Sequence, residues 1–528
     1  MLVRTLLVAA FVFVATLALA LPEVLASWPL LPDAIEYLGI AHSWVSGAGF
    51  VDPVLYSYFL PNTTPPVPAL VVRAPVVPLL LAAPLALGGG VQAVLVAHAV
   101  FAAALGAGGV WLARRIAPGA APLAFGVGFS LSFPWILAVQ TPVTEAASIG
   151  ALLAITAWAP RALRSTPAAA GFAALCVLAW LTRPNLAVAL PAFVVAGAVV
   201  LGPRHALRST PLWTAVATFA ALQQGVSLWC RAATGFAPYA HYGVLLQATS
   251  ASETFAFQKQ YPGAVAWLAA HGEQVHAALA WNAREVARLL FTLPDYHYVG
   301  WFALPALADA WRRRDAHHLE RLLLAATGLA LLGVVLAGYG AIDPRRLLLP
   351  AALCLWLLAA SWLSHTALRI SAHPLVTAAP ALLVLALWLL SPSAAGTSRW
   401  ALRAWRAYQQ GDTRTGLEKS FAPPFCAALQ RAAIVASPNP WELYLACGNA
   451  GWVLPRDLDT EALLDRYLDE RAPGYLIAPA TATARFDASP RLARIASERG
   501  HVLFEVKNPS PRTRPWLAPA PLIPFPAR

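Results

Sequence analysis

Charge is scarce in this chain: Asp, Glu, Lys and Arg make up 12% of its 528 residues, against about a quarter in soluble domains. With 59% of the residues hydrophobic, that scarcity excludes an ordinary soluble protein, a disordered chain and a coiled coil. Cysteine is also rare, and five in all make no disulfide framework. Cys176, Cys230 and Cys354 lie in apolar stretches, where a thiol packs as a small hydrophobe. Only Cys426 and Cys447 fall in polar sequence, and they could pair if that part of the chain is extracytoplasmic. The motifs of soluble enzymes are missing too: there is no Walker A sequence, no H-E-x-x-H, no paired C-x-x-C and no G-x-S-x-G. The adjacent His317-His318 sits in an Arg-rich loop and reads as a solvated face rather than a metal site. Nothing in the sequence asks for a metal or another cofactor.

Long apolar runs are what the chain has in abundance. A spanning helix needs about 20 mostly apolar residues, and candidate runs occur at 2–21, 91–112, 120–138, 142–160, 167–182, 185–202, 211–230, 296–311, 321–338, 347–363 and 375–391. The expected fold is therefore an α-helical polytopic membrane protein with about eleven transmembrane helices. The first run also resembles a signal peptide, with Ala18-Leu19-Ala20 as a cleavage site, but its apolar core is long for one and a retained helix is favoured. Residues 74–88 are apolar but interrupted by proline and read as a re-entrant or interfacial segment.

The net charge of +12 records topology rather than a nucleic-acid partner. If Arg4 is cytoplasmic, the inside loops hold Arg114-Arg115, Arg161 and Arg164, Arg204 and Arg208, Arg312-Arg313-Arg314 with Arg321, and Arg369. That orientation puts the N-terminus in the cytoplasm. It leaves Arg73, Arg183, Arg231 and Arg345-Arg346 outside, against the rule. Exceptions to a topological rule are where function is to be sought.

Three polar regions then face outward: loops within 22–90 and 231–290, and a tail from about residue 392 to 528. The second loop contains stretches of helical spacing suited to the membrane surface. The tail alternates strands (Ala432–Ala436, Gly451–Leu454, Tyr475–Ala478, Val502–Val506) with helices (Trp441–Cys447, Asp459–Arg471, Ser489–Arg499), which predicts a small α/β domain with a mainly parallel sheet, followed by a Pro-rich end. Residues 1–391 would form the membrane domain and 392–528 the extracytoplasmic one.

The informative segment is Leu31–Phe50, LPDAIEYLGIAHSWVSGAGF, just beyond the first span. Asp33 followed three residues later by Glu36 is the spacing of a helix cap with a capping box. A carboxylate at the membrane face is equally the general base that a substrate hydroxyl requires. The spacing alone leaves both readings open.

The pattern Asp33-x-x-x-Tyr37, Ala41, Gly47-x-Gly49-Phe50 resembles the first extracytoplasmic loop of GT-C glycosyltransferases that use polyprenyl-phosphate-linked sugars. That group includes protein O-mannosyltransferases and lipid A aminoarabinose transferases. Arg73-Ala74-Pro75-x-x-Pro78-Leu79-Leu80, Thr144-Glu145, Leu181-Thr182-Arg183-Pro184, Arg345-Arg346-Leu347-Leu348-Leu349-Pro350 and Ile434–Pro455 are similar to further segments of these enzymes, in the same order. The resemblance implies an inverting transferase acting outside the cytoplasm. Its donor would be a polyprenyl-phosphate sugar, and its acceptor a glycan, lipid or protein hydroxyl. It implies Asp33 as catalytic base, with Glu36 as the other candidate because Ala34 stands where many relatives have a second acid. Guanidinium groups suit a departing lipid phosphate, which points to Arg183 and Arg345 or Arg346, then Arg73. Tyr37 and Glu145 would orient substrate. Tyr56, Tyr58, Tyr239, Tyr242, Tyr296, Tyr298 and Trp301 suit sugar stacking but read first as an aromatic belt. No metal is implied. The other classes considered are a membrane polysaccharide polymerase or ligase and a lipid-linked-sugar transporter or flippase.

Overall fold

A computed structural model of the chain describes residues 2–26, 32–55, 65–117, 119–240, 257, 264–337, 344–370, 424–430, 433–498 and 500–507, with scattered positions between 373 and 406. Ten of the apolar runs fall on helices: Leu2–Leu25, Val91–Ile116, the pair Ala121–Gly128 and Phe133–Gln140, Thr144–Ala162, Thr166–Thr182, Ala189–Leu201, Thr210–Thr234, Val299–Arg312, His318–Ala337 and Pro344–Ile370. The run at 375–391 is described only in part. Among the described residues, five helices are long and apolar enough to cross a bilayer, and the bent pair at 69° makes a sixth if it is one crossing. The remaining helices are shorter or richer in Thr, Gln and Pro. The segment read as interfacial forms a helix, Val76–Ala86, of 11 residues, too short to cross the bilayer.

Proline sets where the helices begin and end at one end of the bundle. Pro32 and Pro344 open helices, where their missing N–H is one the first turn leaves unpaired anyway. Pro184 forces the residue before it out of the α region, so Arg183 is extended (φ −159°, ψ 122°) and closes Thr166–Thr182. Arg73 is likewise extended between Ala69–Val72 and Val76–Ala86.

Above this end lies a six-stranded sheet. The strands are β1 (Val51–Asp52), β2 (Val54–Leu55), β3 (Val67–Pro68), β4 (Val435–Ser437), β5 (Gly451–Val453), β6 (Tyr475–Pro479), β7 (Leu492–Glu498) and β8 (His501–Val506). β1 pairs antiparallel with β3, and the large sheet runs β2-β5-β4-β6-β8-β7. Its first four strands are parallel, while β8 and β7 are antiparallel additions. Two expectations are corrected. The segment expected as a helix over Ser489–Arg499 is strand β7, and Gly500, read as a helix stop, instead takes φ +77° in the turn back into β8. The sheet is also not built from the tail alone, because β2 belongs to the first outer loop and pairs with β5.

The sheet side and the first loop are locked by close packing. Tyr444, on the helix Pro440–Cys447, meets Ser43 through their hydroxyls at 2.8 Å. A Cβ on Gly39 would lie 3.2 Å from the Tyr444 ring, so glycine is what lets the two helices approach. Cys426 and Cys447 form a disulfide.

Candidate active site

Four helix ends and one extended residue deliver the predicted side chains to one place. Asp33 lies in the first turn of Pro32–Val45 and Glu36 one turn on, facing the same way. Glu145 lies in the first turn of Thr144–Ala162, Arg183 just past Thr166–Thr182, and Arg346 in the first turn of Pro344–Ile370. Carboxylates at helix starts are favoured by the unpaired N–H groups there.

Arg73 is the central clamp. Its Nε and Nη2 donate to the two oxygens of Glu36 at 2.8 and 2.6 Å, and Nη2 also donates to Asp33 Oδ1 at 3.0 Å. Its guanidinium lies 5.7 Å from the Tyr37 ring centre, a cation–π distance. Arg346 continues the chain of charge: Nη1 is 3.0 Å from Asp33 Oδ2, and Nε is 3.1 Å from Glu145 Oε1. Arg183 Nη1 lies 3.4 Å from that same Glu145 oxygen. Asp33 is thus held between two arginines, one on each oxygen.

Exposure separates the two candidate bases. The Glu36 side chain is fully enclosed, whereas that of Asp33 is 32% exposed. Burial alone would raise the Asp33 carboxyl, but Arg73 and Arg346, with Arg183 beyond, hold it below the usual carboxylate range. Beside the Glu145–Arg346 pair is a cavity of about 10 Å³ walled by Pro134, Leu137, Ala138, Val143 and Leu349, room for about one water.

Arg345 does not follow its neighbour. It is exposed, and its carbonyl accepts from the Tyr296 hydroxyl; successive helical residues point about 100° apart, so Arg346 is the one aimed at Asp33 and Glu145. Of the aromatics, Tyr239 donates to the Trp180 carbonyl at 3.1 Å and stacks edge-on against that ring, a packing role. Tyr56, Tyr58, Tyr242 and the Pro-rich end lie outside the described residues. No group of three His, Cys, Asp or Glu among the described residues is placed to hold a metal.

Sequence reasoning missed Asp52. It is wholly buried on β1 beside Glu36, but in sequence Val-Asp-Pro reads only as a turn. An acid three residues after the Gly47-x-Gly49 turn, in an otherwise apolar stretch, was the available signal.

No family model and no curated protein matches the sequence. Solved structures do. ArnT from Cupriavidus metallidurans bound to undecaprenyl phosphate is 15% identical, with 95% of this chain and 97% of that chain covered and a TM-score of 0.54. Apo ArnT from the same organism gives 14% identity, the same coverage and a TM-score of 0.50. The chain has the GT-C fold. An oligosaccharyltransferase from Archaeoglobus fulgidus, crystallised with Zn and sulfate, is 11% identical over 90% of this chain and 68% of that one, with a TM-score of 0.49. The GT-C bundle here carries the charge cluster where four of its helices start or stop.

Proposed function

We propose that this chain is a membrane glycosyltransferase that moves a sugar from a polyprenyl-phosphate carrier to an acceptor hydroxyl on the extracytoplasmic face, with inversion. One observation carries the reading: Asp33, a partly exposed carboxylate kept ionised by Arg73 and Arg346, stands at the same helix ends as Arg183. Undecaprenyl phosphate in the ArnT structure supports a lipid phosphate as the carrier and leaving group of the donor.

The acceptor hydroxyl gives its proton to Asp33 while its oxygen attacks the anomeric carbon from the face opposite the phosphate. The bond between that carbon and the phosphate oxygen breaks, and the electron pair leaves with the lipid phosphate. Arg346 and Arg183 bind this developing charge, as guanidinium forks do for phosphate oxygens. On binding, the donor phosphate takes over N–H groups that Glu145 holds in its absence, and Glu145 keeps both arginines from swinging away. Glu36 and Arg73 fix Asp33, so base and phosphate site share one rigid frame. The isoprenoid chain enters between the bundle helices from the bilayer, with the N-terminus cytoplasmic and the sheet outside.

A transporter would place its charged groups near mid-membrane, commonly in repeated halves; clustering at helix ends favours the transferase. The test is transfer from labelled polyprenyl-phosphate sugars by the full chain in membranes. Asp33→Asn is expected to lower transfer by about 10²- to 10⁴-fold, the usual worth of a general base. Unchanged transfer in a correctly inserted variant contradicts the assignment.

A further inference from the structure

Asp52 and Glu36 present a problem of charge that the proposed reaction does not by itself use. Asp52 is completely buried. Its Oδ1 accepts the Val54 N–H at 3.0 Å, while its Oδ2 has no donor among the described residues. What Asp52 faces within hydrogen-bond reach is the carboxyl of Glu36. Both oxygens of Glu36 already accept from Arg73. Two carboxylates in contact in a buried site cannot both be ionised, so the pair holds a proton. Arg73 donates to both Glu36 oxygens whereas Asp52 Oδ2 meets no donor among the described residues, so the proton of the pair belongs on Asp52 Oδ2, donated toward Glu36.

We propose that Asp52 is a positioning residue that carries the proton of this buried pair, and that the proton keeps Arg73 shared between Glu36 and Asp33. With Asp52 neutral, Arg73 faces one negative charge at Glu36 and reaches Asp33 with Nη2. An ionised Asp52 would set a second negative charge behind Glu36 and draw the guanidinium toward that side, loosening the contact that fixes the base. The other charged or titratable groups around Asp52 are Arg73, after β3, and Tyr444, from the helix before β5. Burial first, and then the Glu36 carboxylate, push the Asp52 carboxyl well above its ordinary range, consistent with the neutral form. Asp52 also stands two residues before β2, the strand that the first loop contributes to the large sheet. The proton therefore sits at the joint between that sheet and the helix carrying Asp33.

This rests on the transferase reading for its activity readout but not for its spectroscopic one. In the full-length purified chain, infrared spectroscopy is expected to show a protonated-carboxyl stretch that Asp52→Asn removes and Asp33→Asn leaves. A wild type without that band, or a band that survives Asp52→Asn, overturns the proposal even if no donor is ever found. In the transfer assay, Asp52→Asn supplies an N–H where the proton was, and is expected to stay within about threefold of wild type. Asp52→Ala is expected to lower kcat by about ten- to a hundredfold, the worth of one hydrogen bond to a charged group, with the donor KM little changed. Asn and Ala variants that are folded and equally impaired would also overturn it.

Discussion

The bundle has charge clusters at both ends, and they are built differently. At the end read as cytoplasmic, Arg313 pairs with Asp309 four residues away and His317 with Glu320 three away, while Arg321 reaches Asp315 at a separation of 6. These contacts tie down the short connection between Val299–Arg312 and His318–Ala337, with Arg115 joining from another helix. In the cluster around Asp33 at the other end no pair among the described residues is local, although Arg288 pairs with Glu285 three residues away elsewhere at that end. Arg73 meets acids 37 and 40 residues away, and Arg346 meets Glu145 across 201 residues. Taking several charges out of water costs several kcal/mol per ion unless geometry repays it. The first cluster is mostly local and closes a loop, with Arg115–Glu320, across 205 residues, as its exception, whereas bringing three arginines and four carboxyls together from distant segments is what a binding or catalytic site requires.

That contrast can be broken by substitution. The largest effect, after loss of the base itself, is expected at Arg346. Lysine keeps the charge but cannot span Asp33 and Glu145 together, so Arg346→Lys should lower transfer by about 10- to 100-fold and Arg346→Ala by more, with donor binding weakened in both; donor titrations of the transfer rate measure this. Next is acidity. Asp33 has a lowered folded-state pKa, so it remains a base above that value and is lost as pH falls through it. The acid limb of kcat/KM should therefore lie below the ordinary aspartate pKa of about 3.9, and its contribution to stability should likewise be present above that value and vanish as pH falls through the depressed one. Arg346→Lys should move the limb upward. The smallest effect concerns the sheet side. The disulfide Cys426–Cys447, spanning 21 residues, is expected to contribute about 3 kcal/mol. Cys447→Ser should lower thermal stability by about that much and alter transfer only modestly, through Tyr444 and its hold on Ser43.

Much of the site was legible because proline and arginine are conspicuous in an apolar chain. Each of Asp33, Arg73, Glu145, Arg183 and Arg346 lies within three residues of a proline, and each proline fixes where a helix starts or stops at one depth. Which acid each arginine would choose was not legible, because pairing across two hundred residues depends on helix rotation that periodicity does not set. Arg345 and Arg346 could not be separated until their shared helix was seen against Asp33. β2 was invisible for a related reason: two residues, Val54-Leu55, carry no pattern until their partner, some four hundred residues on, is in place. The error at Ser489–Arg499 is instructive in the other direction. Small and charged residues in that stretch suit a helix, but its pairing with β8 overrides so weak a preference.

The most direct measurement sets the two ends side by side: transfer from a labelled polyprenyl-phosphate sugar by Asp33→Asn and by Asp315→Asn, each inserted in membranes at equal level. The account predicts loss of transfer by about two orders of magnitude or more for Asp33→Asn and near wild-type transfer, with a small loss of stability, for Asp315→Asn. Equal activity of the two variants, or loss at Asp315 alone, would contradict it.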